Sequence, residues 1–146
     1  MKKFFTMVAL ATGVMSVQAA DVSASYVRDL NLDQDGVRVQ ASAGSMLGLV
    51  PTVSVTHIDG AYTRYALGTQ VELAKLGPVA VSVTGAGVYQ NTFGADNGYG
   101  MTVGAQAEMS LTKSVSVVAG VERFLGQSRV QPFVGNQATV GLAVKF

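Results

Sequence analysis

Gln137-Ala138-Thr139-Val140-Gly141-Leu142-Ala143-Val144-Lys145-Phe146 is the stretch whose reading decides the fold. Phe146, Val144, Leu142, Val140 and Ala138 share one parity, while Lys145, Ala143, Gly141, Thr139 and Gln137 share the other. Side chains on a strand point to opposite faces with a period of two. One face of this segment is therefore apolar, and the other carries a charge, a hydroxyl, an amide and small residues. A strand of a soluble sheet and a strand of a membrane barrel both show this pattern, so the rest of the chain has to separate them.

The start of the chain reads as an export signal. Lys2 and Lys3 precede an apolar run from Phe4 to about Val17, and Val17-Gln18-Ala19 supplies a small-residue cleavage site. Cleavage after Ala19 or Ala20 divides the chain into a signal peptide (1–20) and an exported domain (21–146). The apolar run is shorter than the ~20 residues of a spanning helix. The chain has no cysteine, which excludes an acylated N-terminal cysteine, disulfides and cysteine–zinc sites.

Removal of Lys2 and Lys3 leaves eight of the ten basic residues against nine acidic ones, so the exported domain is close to neutral at −1. No basic patch argues for nucleic acid. Hydrophobic residues make up 49% of the chain, yet no apolar stretch reaches the length of a transmembrane helix. That combination suits a barrel, because only alternate residues of each strand face lipid. An alternating last strand ending on an aromatic residue, behind an export signal, resembles those of bacterial outer-membrane β-barrel proteins. The resemblance implies that assembly machinery reads the terminal strand, here through Phe146.

Turn signals divide the exported domain into eight segments: about Val22–Leu30, Val37–Gly44, Leu49–Ile58, Tyr62–Ala74, Val79–Gln90, Tyr99–Leu111, Val115–Leu125, and the final strand. Asp59-Gly60 is a two-residue hairpin signal, and Lys75-Leu76-Gly77-Pro78 makes a second tight turn. Eight short strands at this spacing predict an all-β barrel or sandwich. Three features favour an eight-stranded antiparallel up-and-down transmembrane barrel. The strand number is even, and the longer connections follow strands 1, 3, 5 and 7, as external loops do. Tyr26, Tyr62, Tyr65, Tyr89, Tyr99 and Phe124 fall near one rim, as an interfacial girdle would. Arg38, Arg64, Glu72, Glu108, Glu122 and Lys145 oppose the apolar faces of their strands, so three bases and three acids point into a narrow lumen filled by side chains. Arg123 falls on the lipid side, close enough to the rim to snorkel.

Residues with chemical potential are few. Asn31-Leu32-Asp33-Gln34-Asp35-Gly36 partly matches a calcium loop, but its twelfth position is Ser42, where a bidentate Glu belongs. Asp33 and Asp35 therefore read as a solvated loop. His57 is the only histidine and shares a face with Val53 and Val55, while Ser54 lies on the other face. A general base needs a positioned nucleophile, so His57 reads as an interfacial residue. Gly85, Gly87, Gly100, Gly104 and Gly120 sit inside strands with no following helix, which fits tight curvature better than phosphate binding. No catalytic, cofactor-binding or metal-ligating residue is assigned.

The stretch from about Leu47 to Leu125 resembles the YfaZ-type family of small outer-membrane proteins. The matching residues are Leu76-Gly77-Pro78, Gly87-Val88-Tyr89, Gly98-Tyr99-Gly100 and Gly104. The resemblance implies a fold and a location and carries no chemistry. The reading is a monomeric structural or interaction protein of the bacterial outer membrane, with no enzyme activity or open pore. Its expected partners are outer-membrane lipid, lipopolysaccharide and the barrel assembly machinery. The alternatives are a lipid-modifying barrel enzyme of the lipid A hydrolase type, which needs a serine across a strand pair from His57, and a soluble periplasmic barrel with an apolar interior for a small ligand.

Overall fold

The computed structural model describes residues 19–127 and 134–146. The expected signal peptide lies outside these residues except for Ala19 and Ala20, as does most of the loop expected between Gly126 and Asn136. Eight strands are present: β1 (Ala19–Asp29), β2 (Gln34–Ala43), β3 (Val50–Ile58), β4 (Tyr62–Leu76), β5 (Val79–Thr92), β6 (Gly98–Ser110), β7 (Val115–Gly126) and β8 (Val134–Lys145). Each pairs antiparallel with its sequence neighbour, and β1 pairs with β8 to close the barrel. The expected strands are recovered within a few residues. β2 starts earlier than expected because the β1–β2 ladder runs on through Arg28↔Asp35 and Asp29↔Gln34. The Arg28 guanidinium there holds both Asp33 and Asp35, so opposite charges sustain the hairpin beyond its apolar part.

The turns follow local backbone demands. Gly60 and Gly77 occupy left-handed conformations at φ 69° and 61° that cost a glycine little. The β2–β3 turn departs from the rule, because Leu47 takes φ 55° before Gly48 at 81°. Two successive positive φ values fit the backbone twist of a two-residue hairpin, and Met46 and Leu49 exchange both backbone hydrogen bonds across it.

Closure fixes which residues meet. The register from Val79 runs through Met109, Val117, Leu142, Ala24, Val39, Val55 and Tyr65, and returns to β5 at Tyr89, ten residues above its start. Such a stagger tilts the strands against the barrel axis. The outward positions of β6 from Met109 to Tyr99 carry no charge. They span about 25 Å of barrel height at ~3.4 Å per residue and ~40° tilt, which is the height of an outer-membrane apolar band.

The barrel is apolar outside and polar inside. Leu67, Val121, Val140 and Leu142 stand exposed on its outer surface, while Ser23, Thr56, Arg64, Ser82, Gln90, Thr102 and Gln137 are buried. An apolar interior for a small ligand is not what this lumen offers. Inward glycines make room in it. A Cβ on Gly100 would come within 2.5 Å of the Phe124 ring, and one on Gly104 within 2.8 Å of the Glu122 Cβ. Gly85 and Gly87 correct the curvature reading: they face outward, where a Cβ on Gly85 meets nothing and one on Gly87 reaches only the Leu67 carbonyl oxygen, at 3.9 Å.

Candidate functional site

The lumen is the most elaborated part of the molecule. Arg38 on β2 reaches across to Glu122 on β7 in a bidentate pair, with Nη1 to Oε2 at 3.0 Å and Nη2 bound to Oε1. Its Nε donates to Thr56 at 2.8 Å, and Nη2 also donates to the Gln137 side-chain oxygen at 3.1 Å. The Gln137 amide nitrogen donates to the Tyr62 hydroxyl, which donates to Asp29. Asp29 also accepts the backbone N–H groups of Asn31 and Leu32, each at 3.0 Å. One continuous network thus ties the β1–β2 loop to three walls of the barrel. Such a network is expensive to form half-satisfied, so its completeness here stiffens the interior.

Beside it, Arg64 lies between two aromatic faces. Its guanidinium carbon is 4.1 Å from the Tyr62 ring centroid and 3.9 Å from that of Phe124, and its Nε donates to Gln90 at 2.6 Å. Nη1 and Nη2 have no acceptor among the described residues, and the two ring faces offset part of that cost through cation–π attraction. Tyr62 and Phe124 correct the girdle reading. Both point inward and are fully buried, as their parity with Arg64 and Glu122 requires. Tyr26, Tyr65, Tyr89 and Tyr99 do lie on the outer face, and Tyr89 packs 5.2 Å from Tyr99.

All six charges expected inside take inner-face positions, Glu72 by its register with Ser82, although Glu72 and Lys145 are solvent-exposed at the end that carries the termini. β1 adds Asp21 and Asp29 to the set. The lumen therefore holds three bases and five acids rather than matched threes. Near the end where the chain's termini lie, Lys145 pairs with Glu108 at 2.7 Å and Ser42 donates to Asp21. A cavity of about 40 Å³ remains among Arg38, Thr56, Thr84, Gln106 and Thr139. That is room for a few waters, and the Tyr62–Arg64–Phe124 stack stands across the lumen above it.

Asp33 and Asp35 are engaged by Arg28, and Asp35 also accepts from the Tyr26 hydroxyl. No group of three or more acids and histidines with metal-binding geometry occurs among the described residues. His57 lies on the outer face with Nδ1 2.8 Å from the Thr63 hydroxyl, Nε2 3.5 Å from Asp59, and its ring edge against Phe93. Thr63 is its cross-strand partner, so the residue opposite His57 is a threonine rather than a serine. A two-residue turn at Asp59-Gly60 would have paired His57 with Tyr62; the observed turn also takes in Ala61, which shifts the register by one residue and brings Thr63 opposite His57. Arg123 is exposed on the outer face between Val103 and Asn136 of the neighbouring strands.

No family model and no curated protein matches this chain. Solved structures do. The N-terminal β-barrel domain of Pseudomonas aeruginosa OprF is similar with a TM-score of 0.73 and 13% identity, covering 88% of this chain and 98% of that one. Neisserial surface protein A gives 0.60 and 17%, covering 86% and 95%. The Yersinia pestis outer membrane protein Ail gives 0.60 and 10%, covering 88% and 99%. At these identities the likeness shows the fold, a closed eight-stranded antiparallel barrel of the kind that outer-membrane proteins adopt. The YfaZ-type resemblance is supported in that fold and not as a family.

Proposed function

We propose that this chain is an integral protein of the bacterial outer membrane that serves a structural or interaction role and does not form an open pore. The observation that carries this reading is the inverted barrel: apart from Arg123, which lies beside Val103, apolar and uncharged side chains dominate the outer wall over about the height of an apolar membrane band, while ion pairs and amides fill the interior. The structures it resembles include proteins described as an outer membrane protein and a surface protein, which supports the location. Membrane fractionation followed by a heat-modifiability gel tests it. The protein should appear in the outer-membrane fraction and migrate faster unheated than boiled. Recovery in the soluble fraction would refute the location.

A second reading, a lipid-modifying enzyme, has one observation in its favour. Thr63, His57 and Asp59 place a hydroxyl, an imidazole and a carboxylate in sequence on the outer wall, the order that hydroxyl activation uses. Release of fatty acid from lipid A by the purified barrel, lost in His57→Ala, would establish it. Equal release by the variant would remove it.

A further inference from the structure

The outer wall between β3 and β6 has a feature that the fold does not explain. Gly85 and Gly87 are successive outward positions of β5, and both have room for a side chain. Glycine weakens a strand interior, and where curvature does not require it, it marks a place where another group approaches the backbone. Gly87 floors an open trough of about 510 Å³ walled by Val53, Leu67, Tyr65, Tyr89 and Tyr99. The register puts Tyr65, Tyr89 and Tyr99 in one row, and Leu67 and Gly87 in the row below, towards the end that carries the termini. His57 and Thr63 form the row above the tyrosines. A third row joins Gly85 through Val103 to Arg123, an exposed cation with no ion pair among the described residues.

We infer that this wall seats one acyl chain of a phosphorylated outer-leaflet lipid of the lipid A kind, with the chain over Gly87 and a phosphate at Arg123. This rests on the outer-membrane reading above, which places the tyrosine row at the external interface. The trough is apolar where hydrocarbon lies, and its upper edge carries hydroxyls where a headgroup begins. The strand tilt makes each row climb from β5 to β7, which brings Arg123 level with Gly87 on the flank of the trough. From there its long side chain reaches up to that edge to complement a phosphate. A second protein copy fits less well, because a stable interface covers roughly 800 Å² per partner and this trough has the volume of a single alkyl chain.

The test is native mass spectrometry of the barrel extracted from envelopes in mild detergent, with folding of each variant checked by heat-modifiability. The wild-type protein should retain one lipopolysaccharide molecule. Gly87→Leu fills the trough and should lose it. Arg123→Gln should lower occupancy about fivefold, the factor for one cation at an anionic lipid surface. Ala24→Leu, on the opposite wall, should leave occupancy unchanged. If Gly87→Leu does not fold, Gly87→Val replaces it. A wild-type barrel that retains no lipid, retains phospholipid instead, or keeps lipopolysaccharide as well with Leu at position 87 would overturn the seat while leaving the membrane reading intact. Wild-type protein in the soluble fraction would instead overturn the membrane reading.

Discussion

Truncating Glu122 to alanine should be among the most damaging single changes to this barrel. Glu122 and Arg38 have side chains only 14% and 12% exposed, so the carboxylate's removal strands a guanidinium in a narrow interior. Breaking a buried pair by deleting one partner costs ~3–5 kcal/mol. Thr56 and Gln137 still accept from Arg38 in the variant, which places the expectation near the lower end. With urea slopes of ~1–3 kcal/mol/M, a loss of ~3 kcal/mol moves the midpoint down by roughly 1–3 M. Lys113→Ala, in the exposed β6–β7 turn, should stay within ~0.5 kcal/mol of wild type. Urea unfolding in phospholipid vesicles, followed by the shift between folded and unfolded gel mobility, provides the comparison. The double variant Arg38→Met/Glu122→Met should regain most of the loss, because an apolar pair of similar volume leaves no orphaned charge. Equal midpoints for Glu122→Ala and Lys113→Ala, or a double variant weaker than the sum of its parts, would refute the claim that this pair is buried and mutually dependent.

Three further outcomes follow from the same interior. Phe124→Ala should cost ~3–5 kcal/mol and exceed Tyr99→Ala in the same urea assay, since Phe124 fills the lumen against Arg64 and Tyr99 lies on the outer wall. Gly100→Ala should destabilise by ~1–3 kcal/mol through collision with the Phe124 ring, whereas Gly85→Ala should be neutral or slightly stabilising; paired thermal melts would show the difference. The barrel should conduct ions poorly or not at all, and large stable single-channel currents in planar bilayers would contradict the plugged lumen.

Much of this architecture is legible in alternation alone. Val37, Val39 and Ala41 against Arg38, Gln40 and Ser42 assign both faces of β2 correctly, and β6 reads as cleanly. Tyr62 and Phe124 were equally readable, because each lies two residues from a charge on the inner face. Sorting aromatic residues by height without regard to parity puts them on the wrong wall. β1 is harder: Val27 breaks its pattern by pointing inward, which obscures Asp21 and Asp29 as lumen residues. The pairs Arg38–Glu122 and Lys145–Glu108 could not be read, because partners across the lumen depend on the ten-residue stagger and on closure of β8 against β1. The division of glycines into inward ones that make room and outward ones that leave a trough likewise follows from parity, but its consequence appears only once neighbouring strands are in register.

The central claim is that the exposed apolar positions face hydrocarbon. The chain has no tryptophan, so a single Trp introduced at Leu67, Val121 or Leu142 reports alone. In reconstituted vesicles each should emit at short wavelength and be quenched by lipids brominated along the acyl chain, with little quenching by aqueous iodide. Lys113→Trp, in a turn, should show the reverse. Trp at positions 67, 121 and 142 quenched by iodide and insensitive to brominated chains would contradict the membrane-facing assignment outright.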